Sequence, residues 1–251
     1  MARGFGRVFS GVKRLVTLSV MWSMKHPIYS VSLRRPPARS MAGFSLPFSK
    51  PHDFSLPNPA WSPEMLQLYN HYNGMCDVET EGGEKKEGKW VRIPGYNRIL
   101  KYATGGVYIS KMIQSKARLF TRNIREPGAG FEYALFVNRK EQKCVGIWQL
   151  GHLLEGPPGH VHGGAIATTI DTVTGCLASL SGAVMTANLN INYRSPIQLG
   201  STVVMESVVD KKEGRKTFVS CKVTSPDGTK LHTEATALFL SIDISQLILG
   251  R

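Results

Sequence analysis

No stretch of 18 apolar residues occurs in this chain of 251 residues, so no segment reads as a membrane-spanning helix. Cysteine is scarce. Cys76, Cys144, Cys176 and Cys221 form no C-x-x-C pair and no framework spacing, which argues against a disulfide scaffold or a zinc ribbon. Asn-x-Ser/Thr sequons are missing as well, and both facts fit a reducing, intracellular destination with free thiols. There is no G-x-S-x-G nucleophile elbow, so an α/β-hydrolase is not supported. Acidic residues are absent from residues 1–52, where the first carboxylate is still to come at Asp53.

That last absence reorganises the charge. The whole chain carries 31 Lys+Arg against 18 Asp+Glu, net +13, which invites a nucleic-acid binder. Nine of the cations, Arg3 to Lys50, lie in residues 1–52; removing them leaves 22 basic and 18 acidic residues, net +4, for 53–251. The body is only mildly basic, and a nucleic-acid partner is not expected. The front segment alternates Phe5, Val8, Phe9, Val12, Leu15, Val16 and Leu18 with Arg7, Lys13 and Arg14. A basic amphipathic helix with this composition reads as a mitochondrial transit peptide over residues 1–40; the alternative is a basic tail making peripheral membrane contact. Lys13 and Arg14 interrupt the apolar stretch before a secretory h-region forms.

Seven prolines between Pro36 and Pro63 mark a linker or extended arm. Ser62-Pro63-Glu64 then supplies an N-cap, a first-turn proline and an early acid for a helix to about Tyr72. Strands are predicted at Ala117–Arg122, Phe131–Asn138 and Cys144–Leu150. One long helix follows: Ile166, Ile170, Val173, Leu177 and Leu180 form a single stripe at helical period, opened by Gly163-Gly164 and closed by Ser181-Gly182. Strands return at Thr186–Arg194, Thr202–Asp210, Arg215–Thr224 and Leu231–Ile242. In the first of these, Ala187, Leu189, Ile191 and Tyr193 share one face, and Thr186, Asn188, Asn190, Asn192 and Arg194 the other. Lys211–Gly214 is the predicted turn of a hairpin. Strands clustered around one helix indicate an α+β fold, an antiparallel sheet covering a helix, rather than βαβ units.

Two motifs look chemical and are weak. Gly83-x-x-x-x-Gly88-Lys89 has a phosphate-loop outline, but Trp90 stands where Ser/Thr is required. His160-Val161-His162 lacks a third metal ligand. The run from Pro157 to Asp171 is stronger. A helix start offers free N–H groups and a positive dipole end that can polarise a carbonyl, and glycines there admit a substrate to the backbone. Asp171 sits in an otherwise apolar and Thr-rich helix middle, where a carboxylate is paired, hydrogen-bonded or catalytic.

The segments EGPPGHVHGGAIATTID, MTANLNINYRSPI and DKKEGRKTFVSC resemble the hotdog-fold acyl-coenzyme A thioesterases, in the mitochondrial branch of thioesterase superfamily members 4 and 5. The resemblance covers at least residues 115–243. It implies a hotdog sheet wrapped around the helix at Gly163, a linker and N-terminal helical region over 41–114, and a tail at 244–251. It implies hydrolysis of medium- to long-chain fatty acyl-CoA to free acid and coenzyme A, with no cofactor beyond the coenzyme A of the substrate. It implies a homo-oligomer, dimer or dimer of dimers, with the active site at the subunit interface, in the mitochondrial matrix or at the inner membrane. By the same resemblance Gly164 N–H would bind the thioester carbonyl and Asp171 of the partner subunit would be general base or nucleophile. His162 would orient substrate or the loop, and Thr186 would hold the attacking water. Asn192 and Arg194 would contact coenzyme A, and Arg215, Lys216, Thr217, Phe218, Val219 and Ser220 would line its pantetheine and phosphate site. Two rivals stay open: a hotdog enoyl-CoA hydratase, although Asp171 has no His five residues on, and a non-enzymatic regulator that binds acyl-CoA or a signalling protein.

Overall fold

The computed structural model describes residues 53–76, 78–79, 85–86, 88–95 and 119–243. All belong to the unit Phe48–Arg251. The expected transit peptide, the tail at 244–251 and, of the Gly83–Lys89 segment, residues 83, 84 and 87 lie outside the described residues.

Helix α1 spans Pro63–Asn73, and Ser62 caps it by accepting from the Met65 N–H at 3.1 Å. A small ladder pairs β1 (Val78–Glu79) with β2 (Lys85–Lys86). The main sheet is built from β3 (Val91–Ile93), β4 (Phe131–Asn138), β5 (Lys143–Leu150), β6 (Val184–Tyr193), β7 (Thr202–Glu213), β8 (Lys216–Thr224) and β9 (Leu231–Ser241), in the order β3-β4-β5-β7-β8-β9-β6. Every neighbouring pair in it is antiparallel. Between β5 and β6 the chain makes helix α2, Gly163–Ala178, continued by a 3-10 turn over Ser179–Ser181. This is the α+β hotdog arrangement. The sheet curls around α2 far enough that Tyr133 and Leu135 of β4 line the same cavity as Val184 and Leu189 of β6, near the other end of the strand order.

Four of the five residues of the predicted helical stripe are buried, and the fifth, Leu180, is half-buried in the 3-10 turn. Ile166, Ile170, Val173 and Leu177 are each at most 4% exposed, and they pack on Leu135, Trp148, Met205, Val219 and Phe239 from five strands. Gly146 sets how closely helix and sheet approach. A Cβ there would stand 2.8 Å from Val173 Cγ2 and closer still to the Trp148 indole.

The other face of β4, β5 and β7 carries a second core, in which Met65 and Tyr69 of α1 and Trp61 pack on Phe136, Val145, Ile147 and Val204. Buried Glu132 holds the arm before α1, accepting from Trp61 Nε1 and Asn58 Nδ2 at 2.9 Å and from the Gly128 N–H at 2.8 Å. The sheet and its two cores thus recruit α1 and β3 from the stretch read as linker and helical region.

Three expectations are corrected. The stretch Ala117–Arg122 is not a strand where it is described: Phe120–Arg122 is a 3-10 turn. Its side chains engage β4 in place of a backbone ladder. Thr121 Oγ1 meets Tyr133 Oη at 2.7 Å, and the buried Arg122 guanidinium donates to the Phe131 and Tyr133 carbonyls. The turn after β7 is Gly214-Arg215, not Lys211–Gly214. Gly214 has φ 56°, the left-handed conformation a two-residue hairpin loop requires, so the strand runs on to Glu213. Thr186 does not share a face with Asn188. A bulge between them, at Ala187, reverses the alternation.

Gly146→Ala is expected to destabilise the fold by about 1–3 kcal/mol, the usual cost of overpacking a core. A urea-unfolding midpoint equal to that of the parent chain would show that Trp148 and Val173 move aside freely.

Candidate active site

The helix start is fixed by the loop before it. The Val161 N–H donates to the Ile197 carbonyl and the His162 N–H to the Leu154 carbonyl, which brings His162 to the N-cap of α2. Gly159 turns the loop at φ 75°. The Gly164 N–H donates to His162 Nδ1 at 2.9 Å, and Tyr193 Oη donates to the Gly163 carbonyl at 2.9 Å. Thr168, one turn on, donates from Oγ1 to the Gly164 carbonyl at 2.9 Å.

Asp171 lies on the face of α2 opposite the buried stripe, half-buried. Thr186 Oγ1 donates to Asp171 Oδ1 at 2.7 Å. The bulge at Ala187 makes this contact possible, because it turns Thr186 to the helix side together with Leu189 and Ile191, both half-buried. One carboxylate oxygen is thereby oriented and the other is left for a water or a substrate atom.

The pair sits on a cavity of about 710 Å³. Asp171, Thr168, Thr172, Gly175 and Cys176 of α2 form one wall, with Thr186, Leu189 and Phe239 on the adjoining one. Ile93, Leu119, Tyr133 and Leu135 add further walls, and the lining is mostly apolar. A second cavity of about 360 Å³ opens at the helix start, lined by His162, Gly164, Ala165, Leu153 and Ile124. Phe120, 70% exposed, and Thr168 border both cavities. Behind Cys176 lies Cys144, whose thiol is held well above its ordinary range by a hydrogen bond with Cys176 and by burial; it stays protonated and packs as core.

The structure therefore joins four of the predicted residues in two pairs, His162 with Gly164 and Asp171 with Thr186. It does not bring one pair onto the other: seven residues of helix, about 10.5 Å of rise, separate Gly164 from Asp171. The remaining predicted residues lie elsewhere. Arg194 forks onto Glu234 of β9, Nη2 at 3.1 Å and Nε at 3.2 Å, beside exposed Asn192. Arg215 donates from Nε to the Ser241 carbonyl at 3.0 Å, and Lys216 is exposed. Thr217 and Val219 point into the core, with Val219 fully buried. Phe218 and Ser220 face outward, the ring beneath the Lys211 ammonium at 4.6 Å and the hydroxyl donating to Asp210 at 2.7 Å. Thr168, Phe120 and the walls of the large cavity escaped the sequence reading. Thr168 was discoverable, standing four residues after Gly164 and three before Asp171 on one helical face. Among the described residues no group of three His, Cys, Asp or Glu side chains could hold a metal ion.

The thioesterase superfamily model matches residues 158–232, the span that contains His162, Gly164, Asp171, Thr186 and Arg194. An acyl-coenzyme A thioesterase of Xenopus laevis, THEM4, is 48% identical over 193 residues, covering 76% of this chain and 82% of its own. The chain belongs to the thioesterase superfamily. A human acyl-coenzyme A thioesterase, THEM5, is 33% identical over 201 residues, covering 77% of each chain. A more distant relative, the uncharacterized mitochondrial membrane protein FMP10 of Saccharomyces cerevisiae, is 27% identical over 129 residues, covering 49% of this chain and 53% of its own. The segment matched in this superfamily member holds both pairs.

Thr186→Ala removes a hydrogen bond to a charged group, worth about 1.5–3 kcal/mol, and so is expected to cost about 10- to 100-fold in turnover. Turnover by this variant equal to that of the parent would show that Asp171 needs no such partner.

Proposed function

We propose that this chain is an acyl-CoA thioesterase that hydrolyses medium- to long-chain fatty acyl-CoA to free fatty acid and coenzyme A. The observation that carries this reading is the Asp171–Thr186 pair set in the wall of a large, mostly apolar cavity. The names of the relatives point to the same chemistry.

In the reading proposed here the acyl chain lies along α2 past Gly175 and Cys176. Its thioester oxygen takes the Gly164 N–H from His162 Nδ1, one acceptor replacing another, and the freed imidazole orients substrate. Asp171 then removes a proton from water as the water oxygen attacks the carbonyl carbon. Thr186 fixes the carboxylate for that transfer, and the Gly164 N–H stabilises the oxyanion that forms. The tetrahedral adduct collapses by breaking the C–S bond, and the proton passes to the departing coenzyme A thiolate. Direct attack by the carboxylate would give an acyl-enzyme anhydride instead.

The 10.5 Å or so between Gly164 and Asp171 supports a site shared by two copies of the chain, since direct attack needs groups that converge on one carbonyl. Strand β6 has a partner on one side alone among the described residues, and Met185 on it is 55% exposed. An unpaired edge next to the site suits a homodimer that pairs β6 with β6 and lends Asp171 across the interface. Asn192, Arg194, Arg215 and Lys216, with Thr217, Phe218, Val219 and Ser220 shaping the hairpin, are the proposed coenzyme A region; Arg194 would exchange Glu234 for a phosphate. The basic front segment is proposed to direct the chain to the mitochondrion, and the distant mitochondrial membrane relative agrees with that address.

Asp171→Asn is expected to lower release of coenzyme A from palmitoyl-CoA by at least about 10³-fold with the fold intact; near-parental turnover would sink the mechanism. Gly175→Leu fills the cavity wall beside Phe239, where a Cβ would stand 3.5 Å from the ring. It is expected to abolish turnover of palmitoyl-CoA while sparing short acyl-CoAs, and a proportionate loss at every chain length would place the acyl chain elsewhere. For the shared site, mixing Asp171→Asn with Gly164→Val protein and letting subunits exchange is expected to restore activity that neither has alone.

A further inference from the structure

Tyr193 ends β6 and reaches back over the start of α2. Its hydroxyl donates to the Gly163 carbonyl at 2.9 Å, and its ring lies 3.7 Å from where a Gly163 Cβ would stand. That carbonyl and the Gly164 N–H belong to one peptide unit, planar by resonance, with oxygen and hydrogen on opposite sides. The N–H donates to His162 Nδ1 at 2.9 Å. The unit is thus gripped at both ends, by a phenol at its oxygen and an imidazole at its hydrogen. Thr168 holds the next carbonyl, that of Gly164, at 2.9 Å.

We propose that Tyr193 is a positioning residue for thioester hydrolysis: it aims and polarises the Gly163–Gly164 peptide so that its N–H stabilises the oxyanion. The inference rests on the thioesterase reading above. Two effects act together. Pinning the oxygen of a rigid plane fixes the direction of the N–H at the other edge, at a helix start whose two glycines would otherwise leave that plane loosely held. A hydrogen bond into the carbonyl also draws electron density toward oxygen and strengthens the N–H as a donor, by about 10–30% per bond in a chain of such bonds. A carbonyl has two lone pairs, so the phenol adds to the intrahelical bond and displaces nothing. Stability does not account for the contact, because Tyr193 is 53% exposed and its hydroxyl could be satisfied by water. The gain lies in orienting the donor before the substrate arrives.

The test is Tyr193→Phe in the full chain with palmitoyl-CoA as substrate. Deleting an oxyanion donor costs about 10²–10³ in kcat, and deleting the group that aims one is expected to cost about tenfold. The expected result is kcat down about tenfold with KM within about twofold and an unchanged thermal midpoint. A second protein carries 3-fluorotyrosine at 193, which keeps the hydroxyl as a donor, and it is expected to keep parental kcat. A Tyr193→Phe kcat equal to the parent's, with Asp171→Asn inactive, overturns the role of Tyr193 and leaves the thioesterase reading standing. A parent chain that releases no coenzyme A from any acyl-CoA overturns both. A Tyr193→Phe protein whose thermal midpoint falls together with its kcat makes the hydroxyl structural and overturns the proposal.

Discussion

A single helix buried on one side only is the constraint from which the rest of this structure follows. The stripe Ile166, Ile170, Val173 and Leu177 packs into the curled sheet, and Gly146 lets helix and sheet close together. The opposite side of the same helix carries Gly164, Thr168, Asp171, Thr172, Gly175 and Cys176, small or polar residues that cannot fill the space above them. Because the sheet curls from β4 round to β6, that space is walled and not open surface. Core and cavity are two faces of one element, which is why the chemistry and the fold cannot be separated along this segment.

The bulge at Ala187 is the second decisive feature. Regular alternation would place Thr186 with the asparagines on the outer face. One extra residue puts its hydroxyl 2.7 Å from Asp171 instead and leaves the outward Asn188–Asn190–Asn192 column intact. Bulges concentrate where a strand must re-aim one side chain without giving up its ladder. At the other end of β6, Tyr193 reaches the helix start. A single edge strand therefore contacts α2 both at Asp171 and at the helix start.

The sheet's far side is treated unequally. Over β4, β5 and β7 it is covered by α1 and Trp61, locked by the buried Glu132 and by Gln149, which accepts from the Ser62 N–H at 2.7 Å. Covering that face stiffens the strands that carry Tyr133 and Leu135 into the cavity wall. The outward faces of β8 and β9 keep polar and charged residues such as Ser220, Lys222, Glu234 and Thr236. This half suits contacts with solvent, phosphate or another chain.

The amino-acid sequence by itself determined what depends on local periodicity and residue chemistry. The 3.6-residue stripe defined α2, the Ser62-Pro63 signal began α1, and alternation located β4, β5 and β9 to within a residue or two. Gly164 and Asp171 stood out because glycines at a helix start and an acid in an apolar helix each need a reason. Tertiary structure decided what depends on parity and distance. Thr186 faces Asp171 only because one residue is extruded at Ala187, and no pattern in Thr-Ala-Asn announces that. Phe120–Arg122 reads as strand by composition, yet it forms a turn because Arg122, buried, must spend its donors on the β4 carbonyls. The apolar cavity is formed by residues far apart in the chain, from Ile93 to Phe239, and only the curl of the sheet brings them to one wall.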